Sequence, residues 1–177
     1  MNTKILFRNS IDTRDEYDIC KTIFPVLNYR SEIAKGDFII PRYSALPFYK
    51  EMEQDVKNLG ASLIQSYAQH KYIADFDYDR DISDLTFETW RYGDTNIPDV
   101  PLVVKGATNS KKWNWNTLMY AANRLAAVKI ACELGSDGLI GYQDIIFRRF
   151  QPLKKLETGL NGLPFSEEYR VFFLDGK

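Results

Sequence analysis

The chain is poor in the residues that build metal and redox centres. Its 177 residues include one histidine, His70, and two cysteines, Cys20 and Cys132. One histidine excludes a multi-histidine metal site, and two cysteines exclude a Cys-rich zinc site. The two cysteines, each in an apolar helical setting, read as reduced core thiols of a cytoplasmic protein rather than as a disulfide framework. No apolar run is long enough for a signal peptide or a membrane span. Charge of one sign is not in excess either: 23 Lys and Arg against 24 Asp and Glu leave a net −1. Any nucleic acid would therefore have to be held by a local patch. The pattern G-x-x-x-x-G-K-[ST] does not occur, which excludes a Walker A loop. Internal repeats and low-complexity tracts are missing.

Aromatic side chains are what the sequence has in quantity: 14% of residues, with 11 Tyr, 11 Phe and 3 Trp. Large rings should dominate the energetics of the core. The length suits one sizeable core or two small lobes. Residues 4–8 read as a first strand and 12–24 as a helix, capped by Asp12 or Thr13 and with Tyr17, Cys20 and Phe24 at helical spacing. Residues 25–35 look irregular. A second strand at 37–40 ends at Pro41, a helix follows at 47–59 with Pro near its start and Gly60 past its end, and 61–64 is a third strand. That alternation predicts a small open α/β lobe with a parallel sheet. Residues 65–84 predict a short helix and a loop, with Tyr67, Tyr72, Phe76 and Tyr78 set among acids. Residues 86–100 read as a connection between lobes.

The second half is organised around 101–112, P-L-V-V-K-G-A-T-N-S-K-K. A short apolar strand delivers Lys105 to its end. The polar loop behind it carries one glycine, two hydroxyls, an amide and two more lysines. Backbone N–H groups and an ammonium can converge there on one phosphate; an ordinary buried strand followed by a solvated basic turn fits equally. Residues 113–134 predict the longest helix, ended by Gly135, with Leu118, Ala122, Leu125, Val128 and Cys132 along one stripe. An apolar strand at 139–146 is interrupted by Gln143 and Asp144, which a buried sheet tolerates only when such groups are satisfied, as by a ligand. Residues 148–163 look loop-like. A last strand spans 167–174, with Glu168 and Arg170 on one face, as ligand contacts or as a solvated ion-pair face. Asp175-Gly176 is then a hairpin signal at the end of the sequence, so either the partner strand lies elsewhere in the fold or the chain is shorter than the fold it came from. His70 suits a general base near neutral pH, or a structural histidine. Lys111, Lys112, Trp113 and Trp115 could stack single-stranded nucleic acid, or the rings could pack on the lobe.

The strand-borne P-L-V-V-K-G, the small polar loop after it, D-G-L-I-G-Y-Q-D-I-I (137–146) and E-E-Y-R-V-F-F-L-D-G-K (167–177) together resemble the ATP-grasp superfamily. I-I-P-R-Y-S-A-L-P-F-Y (39–49), Y-A-Q-H-K-Y-I-A (67–74), K-G-A-T-N-S-K-K-W-N-W (105–115) and L-N-G-L-P-F-S-E-E-Y-R-V-F (160–172) look more narrowly like an ATP-grasp clade of phages and bacteria, part of which has been proposed to act in RNA repair. The resemblance implies a mixed α/β (α+β) fold. A small open α/β lobe (1–85) would precede an ATP-grasp-like antiparallel sheet with helices (86–177), truncated at its C-terminus. It implies ATP bound with Mg2+, and an ATP-dependent ligase that activates an unknown carboxylate or RNA acceptor. The other implied readings are a shortened, non-catalytic, phage-encoded relative acting as a binding or inhibitory module, with a protein partner completing the fold, and an RNA-repair factor.

Residue by residue, the resemblance places Lys105 on the α/β-phosphates. The loop through Ser110 would close over them, with Lys111 or Lys112 assisting. Gln143, Asp144 and Ile145 would line the adenine and Glu168 the ribose. Arg170 would face the transferring phosphate, and Arg42 the phosphates or the acceptor. The acidic and Asn ligands for magnesium would follow the last strand, beyond this sequence, so the resemblance supports phosphate binding better than phosphate transfer.

Overall fold

The structure, a computed structural model, describes residues 2–8, 14–42 and 48–169. The chain divides into two compact units, Met1–Tyr72 and Ile73–Lys177, a division that falls earlier than the expected 85/86.

The first unit is built on β1 (Asn2–Phe7), α1 (Arg14–Ile23), β2 (Val26–Leu27), β3 (Asp37–Arg42), α2 (Tyr49–Asn58) and β4 (Ser62–Leu63), with α3 (Tyr67–Ala74) running across the division. The strands form one parallel sheet in the order β2-β1-β3-β4. Leu6 and Ile39 from adjacent strands pack with Met52 and Val56 of α2, whose spacing of four puts both on one helical stripe. Each such side chain, removed from water, contributes about 1.5–3 kcal/mol. Asp37 is the one buried charged residue among those described; it accepts from Lys4 at 2.8 Å and from the Ala34 amide at 2.8 Å. Those donors, Lys4 first, hold its carboxyl below the ordinary range.

Two expectations fail in this unit. β2 lies inside the stretch read as irregular; it is only two residues long, too short to show a period, and is fixed by pairing Val26 and Leu27 with Ile5 and Leu6. β3 continues through Pro41 to Arg42, where the sequence reads a stop. β4 pairs only with Phe38 and Ile39, so Pro41 lies where β3 has a single neighbour and a missing donor is tolerated.

The second unit contains α4 (Tyr78–Asp81), β5 (Thr89–Arg91), β6 (Leu102–Gly106), α5 (Trp115–Leu118), β7 (Tyr120–Ala121), α6 (Arg124–Gly135), β8 (Ile145–Arg149), β9 (Lys155–Thr158) and β10 (Pro164–Ser166). An antiparallel sheet has the order β5-β8-β6-β7, and β9 and β10 make a separate antiparallel ribbon. One sheet face buries Leu102, Val104 and Phe147 against Ala127, Ile130, Ala131 and Leu134 of α6. Side chains alternate across a strand, so Val103 and Lys105 of β6 project from the other face. The register places them opposite Arg148 and Ile146.

The expected helix at 113–134 is broken. Tyr120 and Ala121 leave it to pair with Val103 and Leu102, and a new helix starts at Arg124. Asn123 caps that helix, its Oδ1 accepting from the Ala126 amide at 2.9 Å, while Asp99 accepts from the Arg124 amide at 3.0 Å. The buried stripe is the Ala127–Leu134 set; Leu125 is 81% exposed and Cys132 also faces solvent, so Cys132 is not a core thiol. The strand expected at 139–146 begins only at Ile145 and continues through Arg149, and the segment 148–163, read as loop, supplies β9. Residues 167–169 are not in a strand, and the rest of the last expected strand lies outside the described residues.

Candidate functional site

A cleft of about 640 Å³ opens on the Lys105 face of the second unit's sheet, within the range of small-molecule sites. Lys105 and Arg148 stand on its floor, Lys112 and Glu168 on its walls, and Trp115 and Phe165 are among its aromatic lining. Trp115 is steadied by Tyr120 and Phe150, at ring-centroid distances of 6.3 and 6.2 Å.

The floor cations are held by rings rather than by acids. Lys105 Nζ sits 5.1 Å from the centroid of Phe76. The Arg148 guanidinium lies 5.9 Å from Phe76 and 5.7 Å from Phe87, and donates to Thr86 Oγ1 at 2.5 Å. Its buried Nε–H has no hydrogen-bond partner among the described residues. Burial, and then repulsion from Arg148 and Lys112, lowers the Lys105 pKa, and Asp79 opposes this only as the weakest contribution. The neighbouring Arg149, by contrast, is paired with Glu88. A cluster of positive charge only weakly offset by acids, beside apolar rings, suits a ligand with an anionic part and a flat apolar part.

The loop after β6 is tied down from the turn that precedes β8. Gln143 Oε1 accepts from the amides of Thr108 and Asn109 at 3.0 and 3.2 Å and from the Thr108 hydroxyl at 2.9 Å. Its Nε2 donates to Asn109 Oδ1 at 2.6 Å and to the Leu139 carbonyl at 3.0 Å. Gly106 permits this: a Cβ there would lie 2.7 Å from Gln143 Oε1 and 3.0 Å from Ile140 Cγ2. Lys111 pairs with Asp137 at 2.5 Å. That bond, with the amides of Ile140 and Leu139, lowers the Asp137 pKa to about 2.

The placement of the expected site residues follows. Lys105, Lys112 and Glu168 are brought together in the cleft. Ser110 is half-buried in the tethered loop. Lys111 is engaged by Asp137, and the loop amides of Thr108 and Asn109, expected to face phosphate, are taken by Gln143. Gln143, Asp144 and Ile145 line a separate pocket of about 230 Å³ with Arg91 and Tyr92, away from the Lys105 cleft lining. Asp144 there pairs with Arg91. Arg42 is in the first unit, where Glu16 of α1 grips it at 2.5 and 3.0 Å. Arg170 lies outside the described residues. His70 stacks flat on Tyr49 at 3.9 Å between centroids. Trp113 is 70% exposed, unlike Trp115.

Sequence reading missed Arg148 and Phe76. Arg148 was legible in principle: in I-I-F-R-R it sits two after Ile146, on the Lys105 face of a strand with period two. Phe76 had no such signal.

No family model matches the chain, and no curated protein matches it. Among solved structures it is similar to the RimK domain protein ATP-grasp from Sphaerobacter thermophilus DSM 20745, with a TM-score of 0.51 at 12% identity. The match covers 88% of this chain, and the chain spans 66% of the length of that protein. The fold is thus a mixed α/β one, with a parallel and an antiparallel sheet, of the ATP-grasp-like kind. No helix among the described residues is long and apolar enough to cross a membrane.

Proposed function

We propose that the Lys105 cleft binds ATP and that the chain is an ATP-grasp-type nucleotide-binding protein, the ATP-binding part of a ligase that activates a carboxylate as an acyl phosphate. The observation that carries this is the Lys105–Arg148 pair, two cations on the floor of an aromatic-walled cleft with rings, not carboxylates, as partners. Phosphates would take the two charges and the open Arg148 donor, and a base would lie on the rings. Likeness of fold to an ATP-grasp domain protein supports the choice of nucleotide. Glu168, on the same cleft, is the residue we assign to the ribose.

The cleft residues fit the nucleotide, but the described residues do not make a magnesium site: no group of three or more His, Cys, Asp or Glu could hold a metal ion. Calorimetry with ATP, with and without magnesium, tests the reading. Lys105→Ala should weaken binding roughly 10- to 100-fold, the loss expected for a hydrogen bond to a charged group. Absence of binding by the wild-type protein would sink the nucleotide assignment. Tight binding with no turnover of any carboxylate or RNA acceptor would make the chain a binding module instead.

A further inference from the structure

We infer that Phe76 is a positioning residue whose ring holds Lys105 and Arg148 in place for an anion, and that Arg91, gripped by Asp144, holds Phe76. The meaning given to the anion rests on the ATP reading above. Phe76 is 2% exposed and has φ +63°. A bulky residue in the left-handed region is an outlier, kept there only where its surroundings over-determine it. The surroundings are identifiable. Arg91 Nη2 donates to the Asp75 carbonyl at 2.8 Å and to Asp77 Oδ1 at 3.3 Å, bracketing Phe76 on both sides in the chain. Asp144 holds the other end of the same guanidinium.

The ring so fixed is shared by two cations that repel each other. A carboxylate at that position would hold them equally well, but it would neutralise them and compete with any incoming phosphate. An aromatic face attracts a cation through its quadrupole and carries no charge. The site can therefore be ordered before the anion arrives and still be positive when it does. The charged groups bearing on Lys105 agree with this: Arg148 and Lys112 are cations, and the acid Asp79 already accepts from the Thr89 hydroxyl at 3.2 Å. Glu168 is on the cleft wall.

The test is an NMR titration of the Lys105 side chain in the full chain without ligand, for the wild type, Phe76→Leu, Phe76→Tyr and Asp144→Asn. Loss of the ring face disfavours the charged ammonium, so Phe76→Leu should lower the Lys105 midpoint by roughly half to one pH unit. Phe76→Tyr should restore it, and Asp144→Asn should move it the same way by less. A role in packing alone would leave the midpoint where it is, and an unmoved midpoint in folded Phe76→Leu overturns the inference. So does a Tyr variant that behaves like the Leu variant. Should Phe76→Leu fail to fold, Asp144→Asn decides: an unmoved midpoint there counts against the inference. Inorganic triphosphate separates the two claims. A wild-type protein that does not bind it, with the titration shifts present, refutes the phosphate reading while the ring's hold on both cations stands.

Discussion

Replacing Gly106 with alanine should detach the loop that follows β6, and the size of the effect can be worked out from its neighbours. The new Cβ would lie 2.7 Å from Gln143 Oε1, 3.0 Å from Ile140 Cγ2 and 3.2 Å from the Asn109 carbonyl. The carbonyl is backbone and Ile140 is fully buried, so Gln143 is the group that gives way. Its Oε1 accepts three bonds from Thr108 and Asn109. At about 0.5–1.5 kcal/mol each these sum to about 3 kcal/mol. Against this, an alanine restricts the unfolded chain and returns about 0.4–1 kcal/mol. The net loss should be about 2 kcal/mol in urea unfolding, with faster hydrogen exchange at the Thr108 and Asn109 amides. Gln143→Ala should reproduce the exchange pattern, and the double variant should cost little more than either single one, because both remove the same contacts. A Gly106→Ala protein within about 0.5 kcal/mol of wild type, with both amides still protected, would refute the reasoning.

Three further outcomes follow from named contacts. Because burial and like charge lower the Lys105 pKa, its charged form costs the folded state stability at neutral pH. The wild type should therefore gain stability relative to Lys105→Met as pH rises through that lowered pKa toward 10.5, and bound triphosphate should abolish the gain, as read by thermal unfolding across alkaline pH. Asp137 behaves oppositely: its carboxyl is lowered from 3.8 to about 2, so its contribution is complete above the unfolded value and is lost as pH falls from 3.8 toward 2. Asp137→Asn should flatten that acid limb, and an unchanged limb in the variant would count against the Lys111 clasp. Asn123→Ala should destabilise the second unit by about 1 kcal/mol through loss of the α6 cap, measured by urea unfolding, with Asn123→Ser recovering most of it.

Much of the fold was legible because its signals are local. The strand–helix–strand alternation of the first unit, the Lys105 strand and Gly60 past the end of α2 all follow from period and punctuation. The failures share one cause, which is long-range pairing overriding local periodicity. Tyr120 and Ala121 lie within a run that reads as helix, yet their ladder to β6 takes them out, and Asn123, a strong cap signal, falls inside the same run. Arg148 and Arg149 read as a loop because Pro152, Gly159, Gly162 and Pro164 follow them; here they end β8 on opposite faces, Arg148 toward the Lys105 cleft and Arg149 paired with Glu88. In the site, Lys105 could be found from its strand and loop. Phe76 could not, since nothing in F-D-Y announces a left-handed phenylalanine beneath two cations. Gln143 was singled out as an anomaly in an apolar run. The structure satisfies its amide with the phosphate-suited loop itself.

The ring-held cations carry a consequence for solvent composition. Arg148 and Lys112 both disfavour the charge on Lys105, so the second unit stores electrostatic frustration there that mobile ions can relieve. Added salt should ease this repulsion even as it weakens pairs such as Arg149–Glu88 in the same unit, since screening acts on repulsion as readily as on attraction. Multivalent oxyanions should do so at lower concentrations than chloride, because one such ion can reach several of the charges at once.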